Sequence, residues 1–158
     1  MRRIFVAAAV ALVAGCAEKP RDVNALNKDS QSALLVAAID KRGEALRRLL
    51  AQGADPNLAD KSGQTPLFFA VYNQDLESVA ALIKAGAKVN ARTASGEFPL
   101  LRAVAWGNAQ LVDLLIRGGA DVNMSPGDPR LPATLLKAAR DGQLTEIAEL
   151  LTKAGAKE

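Results

Sequence analysis

The chain of 158 residues is poor in groups that do chemistry. It has no histidine, so the commonest general base and the commonest metal ligand are both missing. Its one cysteine, Cys16, stands near the amino terminus directly after an apolar run, and a Cys/His metal site cannot be assembled from it. No glycine-rich phosphate loop and no Gly-x-Ser-x-Gly elbow occurs. Carboxylates remain as candidates for acid–base work, but Asp55, Asp60 and Asp121 sit in turn-like stretches, where an aspartate side chain accepts hydrogen bonds from nearby backbone N–H groups. The others fall at similar turns or on outer helix faces. The residues with a distinctive capacity are those that make contacts: the only tyrosine, Tyr72, the only tryptophan, Trp106, and Arg102. Such side chains dominate interface energetics, the two rings because they bury large areas with few rotors and arginine because its planar fork is pre-organised for hydrogen bonds and stacking. The chemistry expected is recognition, without turnover.

A repeat positions these residues. Gln64-Thr65-Pro66-Leu67-Phe68-Phe69-Ala70 is followed by Gly86-Ala87-Lys88-Val89-Asn90. Pro99 and Ala103 stand 33 residues on from Pro66 and Ala70, and Gly119 and Asn123 stand 33 on from Gly86 and Asn90. Going back by the same step, Ser32, Leu34 and Ala37 take the places of Thr65, Leu67 and Ala70, while Gly53, Ala54 and Asn57 take those of Gly86, Ala87 and Asn90. A fixed period of this length marks a stacked architecture in which each unit covers its neighbour.

These residues resemble the ankyrin repeat, whose pattern is a turn, T-P-L-H-x-A opening a short helix, a second helix, then G-A-D-x-N. The resemblance rests on Asp60, Gly63, Thr65-Pro66-Leu67 and Ala70; on Gly96, Pro99-Leu100 and Ala103; and on Gly53-Ala54-Asp55-Pro56-Asn57 with Gly119-Ala120-Asp121-Val122-Asn123. It implies an all-α solenoid of about four helix-turn-helix repeats with short hairpin or turn fingers. The repeats divide a domain over 22–158 at about 22–57, 58–90, 91–123 and 124–158. Thr65 is expected to cap its helix and Pro66 to open it, where a missing N–H costs nothing. Phe98 replaces the capping threonine, which exchanges a cap hydrogen bond for an apolar contact. Leu35, Phe68, Leu101 and Leu136 stand where the family carries histidine, which removes its usual polar bracing between repeats. In the fourth repeat Gly155-Ala156 lies 36 residues after Gly119-Ala120. The extra residues are expected mainly in the proline-rich stretch 125–129, with one more near Thr145, and the helices over 134–140 and 144–153.

By the same resemblance, such domains bind proteins through their finger tips and the concave face of their first helices. The tips include 27–29, Ala59, Lys61, Ser62, Arg92, Ala94 and Ser95, with Gly127 and Asp128 in the fourth. The exposed first-helix places are Ile39 and Asp40, Tyr72 and Asn73, Ala105 and Trp106, Arg140 and Asp141. The partner-binding set is therefore Tyr72, Asn73, Trp106, Arg102, Lys61, Arg92, Asp40 and Arg140, on a monomer, with no catalytic residue, cofactor, metal or small-molecule substrate. Twenty cations against 17 acids give a net charge of +3, and without Arg2 and Arg3 the balance is 18 to 17, or +1. No cationic cluster of the kind nucleic acid requires stands out.

The first residues read as an export signal. Met1-Arg2-Arg3 is a basic head, and the apolar run 4–14 is too short to span a bilayer, which needs roughly 20 residues, but suits a signal-peptide core. Val13-Ala14-Gly15-Cys16 resembles a bacterial lipobox, which implies a signal peptide over 1–15, lipidation of Cys16 and a tether over 16–21. Ala17 is not the aspartate of an inner-membrane retention signal, so a Gram-negative source would place the anchor on the periplasmic face of the outer membrane. Two or three acyl chains, as such a cysteine carries, make an anchor permanent. The function expected is a lipid-anchored envelope module for protein binding, of immunity type and neutralising an envelope-targeting effector. The alternative is a stress or assembly factor supporting an envelope enzyme such as a peroxidase.

Overall fold

The computed structural model describes residues 22–125 and 133–157. The leader, Cys16, its tether and most of the proline-rich stretch, 126–132, lie outside the described residues. Eight α-helices follow in order among those described: α1 (Ala33–Ile39), α2 (Gly43–Ala51), α3 (Pro66–Tyr72), α4 (Leu76–Lys84), α5 (Pro99–Ala105), α6 (Ala109–Arg117), α7 (Leu135–Asp141) and α8 (Thr145–Lys153). Each odd helix packs on the even helix that follows it and on the odd helix of the next repeat. Even helices pack on even ones in the same way, so two helical layers run the length of the stack.

Local chemistry starts six of the eight helices, all but α2 and α8. The hydroxyls of Ser32, Thr65 and Thr134 accept from the backbone N–H of Leu35, Phe68 and Lys137 at 3.2, 3.2 and 3.1 Å, and Pro66 and Pro99 open α3 and α5. Phe98 makes no such bond and is fully buried instead. Asp75 and Asn108 cap α4 and α6 through Ser78 and Leu111. One row of residues at the repeat spacing, Ala37, Ala70, Ala103 and Ala139, is buried; only small side chains let neighbouring helices pass this closely. A second row, Leu82, Leu115 and Leu151, is fully buried in the even layer.

Polar bracing between repeats comes from the asparagines of the G-A-D-x-N element and its counterparts. Asn57 Nδ2 donates to the Gly86 carbonyl at 3.2 Å while its Oδ1 accepts from Lys88 N at 2.7 Å. Asn90 repeats this on Gly119 and Asp121, and Asn123 on Gly155 and Lys157. Asn24 begins the ladder by accepting from Asp55 N at 2.8 Å. Asp55 and Asp121 each accept from the backbone N–H two residues on, the turn-stabilising role expected of them, and Asp22 does the same.

The fingers are turns with one isolated bridge, Leu26 to Ser32, among the described residues. Asn27, Asp60 and Thr93, at the repeat spacing, each fold a tip by accepting backbone N–H groups on their side-chain oxygens. Fingers two and three touch: Ala94 N donates to Ser62 O at 2.8 Å. Gly63 sits beneath this contact with φ +73°, and an added Cβ there would lie 3.3 Å from Ala94 N. Gly53 has φ +85° and open space around it. Both Gly63→Ala and Gly53→Ala carry the left-handed penalty of about 1 kcal/mol, but only the first also pushes two fingers apart. Chemical denaturation should therefore show Gly63→Ala to be the more destabilising, and equal losses would mean that the finger contact contributes nothing.

The fourth repeat departs from expectation in its register. Helices α7 and α8 both lie 36 residues after α5 and α6, so all the extra residues precede Thr134 and none falls near Thr145. Thr134 takes the place of Thr65, as its cap bond to Lys137 N shows. The residue in the histidine place is therefore Lys137, which is exposed, and Leu136 takes the buried place of Leu67 and Leu100. Arg140 accordingly aligns with the buried Ala38, Val71 and Val104, and Asp141 with Ile39, Tyr72 and Ala105.

Candidate functional site: an aromatic and arginine cluster on the first-helix layer

Helices α3 and α5 each present two residues one turn apart, Phe68 with Tyr72 and Arg102 with Trp106. Residues four apart share a helix face, and stacking the two repeats brings the pairs side by side. Tyr72 and Trp106 meet edge to face, with ring centroids 6.0 Å apart and planes at 83°. The Arg102 guanidinium carbon lies 5.6 Å from the Tyr72 centroid and 5.9 Å from that of Phe68. Glu97, at the base of finger three, pairs with Arg102 and holds the cation in place over the rings. Phe68 is buried and forms the floor, whereas Tyr72 and Trp106 each remain 48% exposed. Two large rings thus stay in water, braced by each other and by a cation.

The other sequence-predicted residues are placed differently. Asn73 is half-buried, and its amide donates to the carbonyls of Ala38 and Ile39 at 2.9 and 3.3 Å, closing the end of α1. Asp40 is exposed beside it and pairs with Arg42 at 3.3 Å. Lys61 is exposed at the tip of finger two. Arg92 donates to the carbonyls of Gly96 and Ser125 at 3.0 and 2.7 Å and lies 4.8 Å from the Phe98 ring centroid, so it ties finger three to the start of the next. Arg140 lines a hollow at the carboxy-terminal end of the stack with Gln143, Leu144 and Glu149, away from the Tyr72–Trp106 cluster. Its register explains this: it stands at a place that a following repeat would cover. Glu97 escapes a sequence reading because it precedes the α5 helix and has no helical spacing to Arg102.

Among the described residues no group of three or more His, Cys, Asp or Glu side chains is arranged to hold a metal ion. No helix among them is long and apolar enough to cross a membrane.

Comparison with known proteins bears on the fold and the class of partner. A family model described as ankyrin repeats (3 copies) matches residues 6–93, and another described as ankyrin repeats (many copies) matches 73–116. A search of curated proteins finds no match. Among solved structures, the crystal structure of an ankyrin repeat domain from Acinetobacter baumannii AYE is 36% identical, with a TM-score of 0.78, covering 87% of this chain and 71% of that one. With the caps, the asparagine ladder and the two-layer stack in place, the chain belongs to the ankyrin-repeat family, whose repeats are protein-interaction modules and typically not enzymes.

Proposed function

We infer that the chain is a non-catalytic, lipid-anchored module of the cell envelope that binds a protein partner through the surface around Tyr72, Trp106 and Arg102. The observation that carries this reading is the half-exposed Tyr72–Trp106 pair, with Arg102 over Tyr72 and Glu97 paired to Arg102. Rings already held by neighbours lose little freedom when a partner covers them. The lipobox-like Val13-Ala14-Gly15-Cys16 supports the anchor. In an immunity-type role the partner is an envelope-targeting effector whose activity falls on binding. In the alternative, support of an envelope enzyme such as a peroxidase, the partner's activity rises or persists. Cross-linked pull-down from detergent-solubilised envelope, beside the Tyr72→Ala/Trp106→Ala double variant at matched thermal stability, tests the surface. A dominant partner is expected with the native protein and lost with the variant. A partner that survives both changes would move the site to the finger tips.

A further inference from the structure

The most exposed large apolar side chain among the described residues is Leu26, at 54%. It lies at the amino-terminal end of the stack, in a hollow lined by Ala33, Val36, Ala45 and Leu49 with Asn27, Gln31 and Arg42 at its edge. The repeat does not require a leucine there, because its counterparts one and two repeats on are Ala59 and Arg92, both exposed. Leu49 makes the same point from the even layer. Its counterparts Leu82, Leu115 and Leu151 are fully buried beneath the repeat before them, while Leu49 is only half-buried. Among the described residues, this end therefore carries the side chains of a repeat–repeat interface with no repeat upon it. The hollow at the opposite end is lined by Arg140, Gln143, Glu149 and Lys153 around Leu144 and Ala148, and among the described residues no large apolar side chain stands exposed there.

Reach decides what can cover the apolar end. Cys16 and Asp22 are six residues apart, about 20 Å at full extension, and Leu26 follows four residues later. Each further repeat adds about 10 Å, the spacing of packed helices, so only the amino-terminal end is within easy reach of the surface that holds Cys16. We propose that this end docks on that lipid surface, with Leu26 entering the boundary between headgroups and acyl chains; the proposal rests on the lipid-anchor reading above. The attraction is apolar. Two of the nearby cations are already paired, Arg42 with Asp40 and Arg48 with Glu44, so docking depends mainly on apolar contact and little on anionic lipid. The stack then stands upright, with Tyr72 and Trp106 held above the surface in repeats two and three.

A fluorophore on Leu26→Cys tests this in the full chain, produced where lipoproteins are processed, because acylation consumes the Cys16 thiol. Lys157→Cys provides the opposite end. Both are reconstituted in vesicles of phosphatidylethanolamine with phosphatidylglycerol, and in vesicles of phosphatidylcholine alone. The expected result is several-fold stronger quenching by a lipid-borne nitroxide at position 26 than at 157, the reverse with aqueous acrylamide, and the same pattern in both lipids. Acylated protein whose position 26 is open to acrylamide overturns docking and leaves the anchor standing. Shielding from both quenchers assigns the face to a second copy or to residues 17–21, which also overturns it. A chain without acyl mass on Cys16 removes the anchor and the docking together.

Discussion

Phe98→Thr is expected to destabilise the protein by about 2–4 kcal/mol, although it restores the family's capping residue at the start of α5. Two effects oppose each other. A threonine cap contributes about 1 kcal/mol, and Thr65 shows the geometry it would adopt, with Phe68 N donating at 3.2 Å. Truncating a fully buried phenylalanine costs about 3–5 kcal/mol, and Phe98 has no exposed surface. It also provides the ring beneath Arg92, whose guanidinium carbon lies 4.8 Å from its centroid while the same side chain ties finger three to Ser125. Burial wins. At about 2–4 °C per kcal/mol for a domain of this size, the melting temperature should fall by roughly 4–16 °C. Thr65→Ala, which removes a cap alone, should cost only about 1 kcal/mol. A Phe98→Thr variant as stable as the native protein would mean that capping controls α5 and that the ring is poorly packed.

The second large effect is positional. Leu82→Ala should cost about 2–5 kcal/mol, the range for emptying a buried leucine site, because Leu82 is fully buried between repeats one and two. Leu49→Ala, the same substitution at the same place one repeat earlier, should cost less than half as much, since Leu49 is only half-buried at the end of the stack. In a solenoid each repeat is stabilised by its neighbours, so an identical change is expected to scale with how many neighbours the side chain has. Urea unfolding followed by circular dichroism provides both values. Equal losses would show that Leu49 is covered in solution and that the amino-terminal face is not free.

Much of this architecture is legible without coordinates because the ankyrin stack is built from local signals repeated at a fixed step. Ser32, Thr65 and Thr134 announce helix starts, Pro66 and Pro99 confirm them, and Gly86 and Gly119, both left-handed, close the second helices. Each of these acts within a few residues, so one repeat reads like the next. The apolar rows follow for the same reason, and so does the placing of Tyr72 and Trp106 on one surface. The fourth repeat resisted because a proline-rich insertion breaks the step. Composition does not say on which side of α7 the extra residues fall, and the Thr134 cap bond to Lys137 decides it.

The sequence by itself determined the period, the helices, the turn aspartates and the two exposed rings. Only the tertiary structure decided what happens between repeats: that Tyr72 and Trp106 touch, that Glu97 holds Arg102 over Tyr72 and Phe68, and that Asn57, Asn90 and Asn123 brace the stack by reaching carbonyls in the next repeat. It also removed Arg140 from that surface and set it at the end of the stack. The reason is geometric. A side chain's meeting with a partner some 30 residues away depends on how one repeat is rotated and displaced on the next, and that relation is set by the packing of the two helical layers together, which no single stretch of sequence contains.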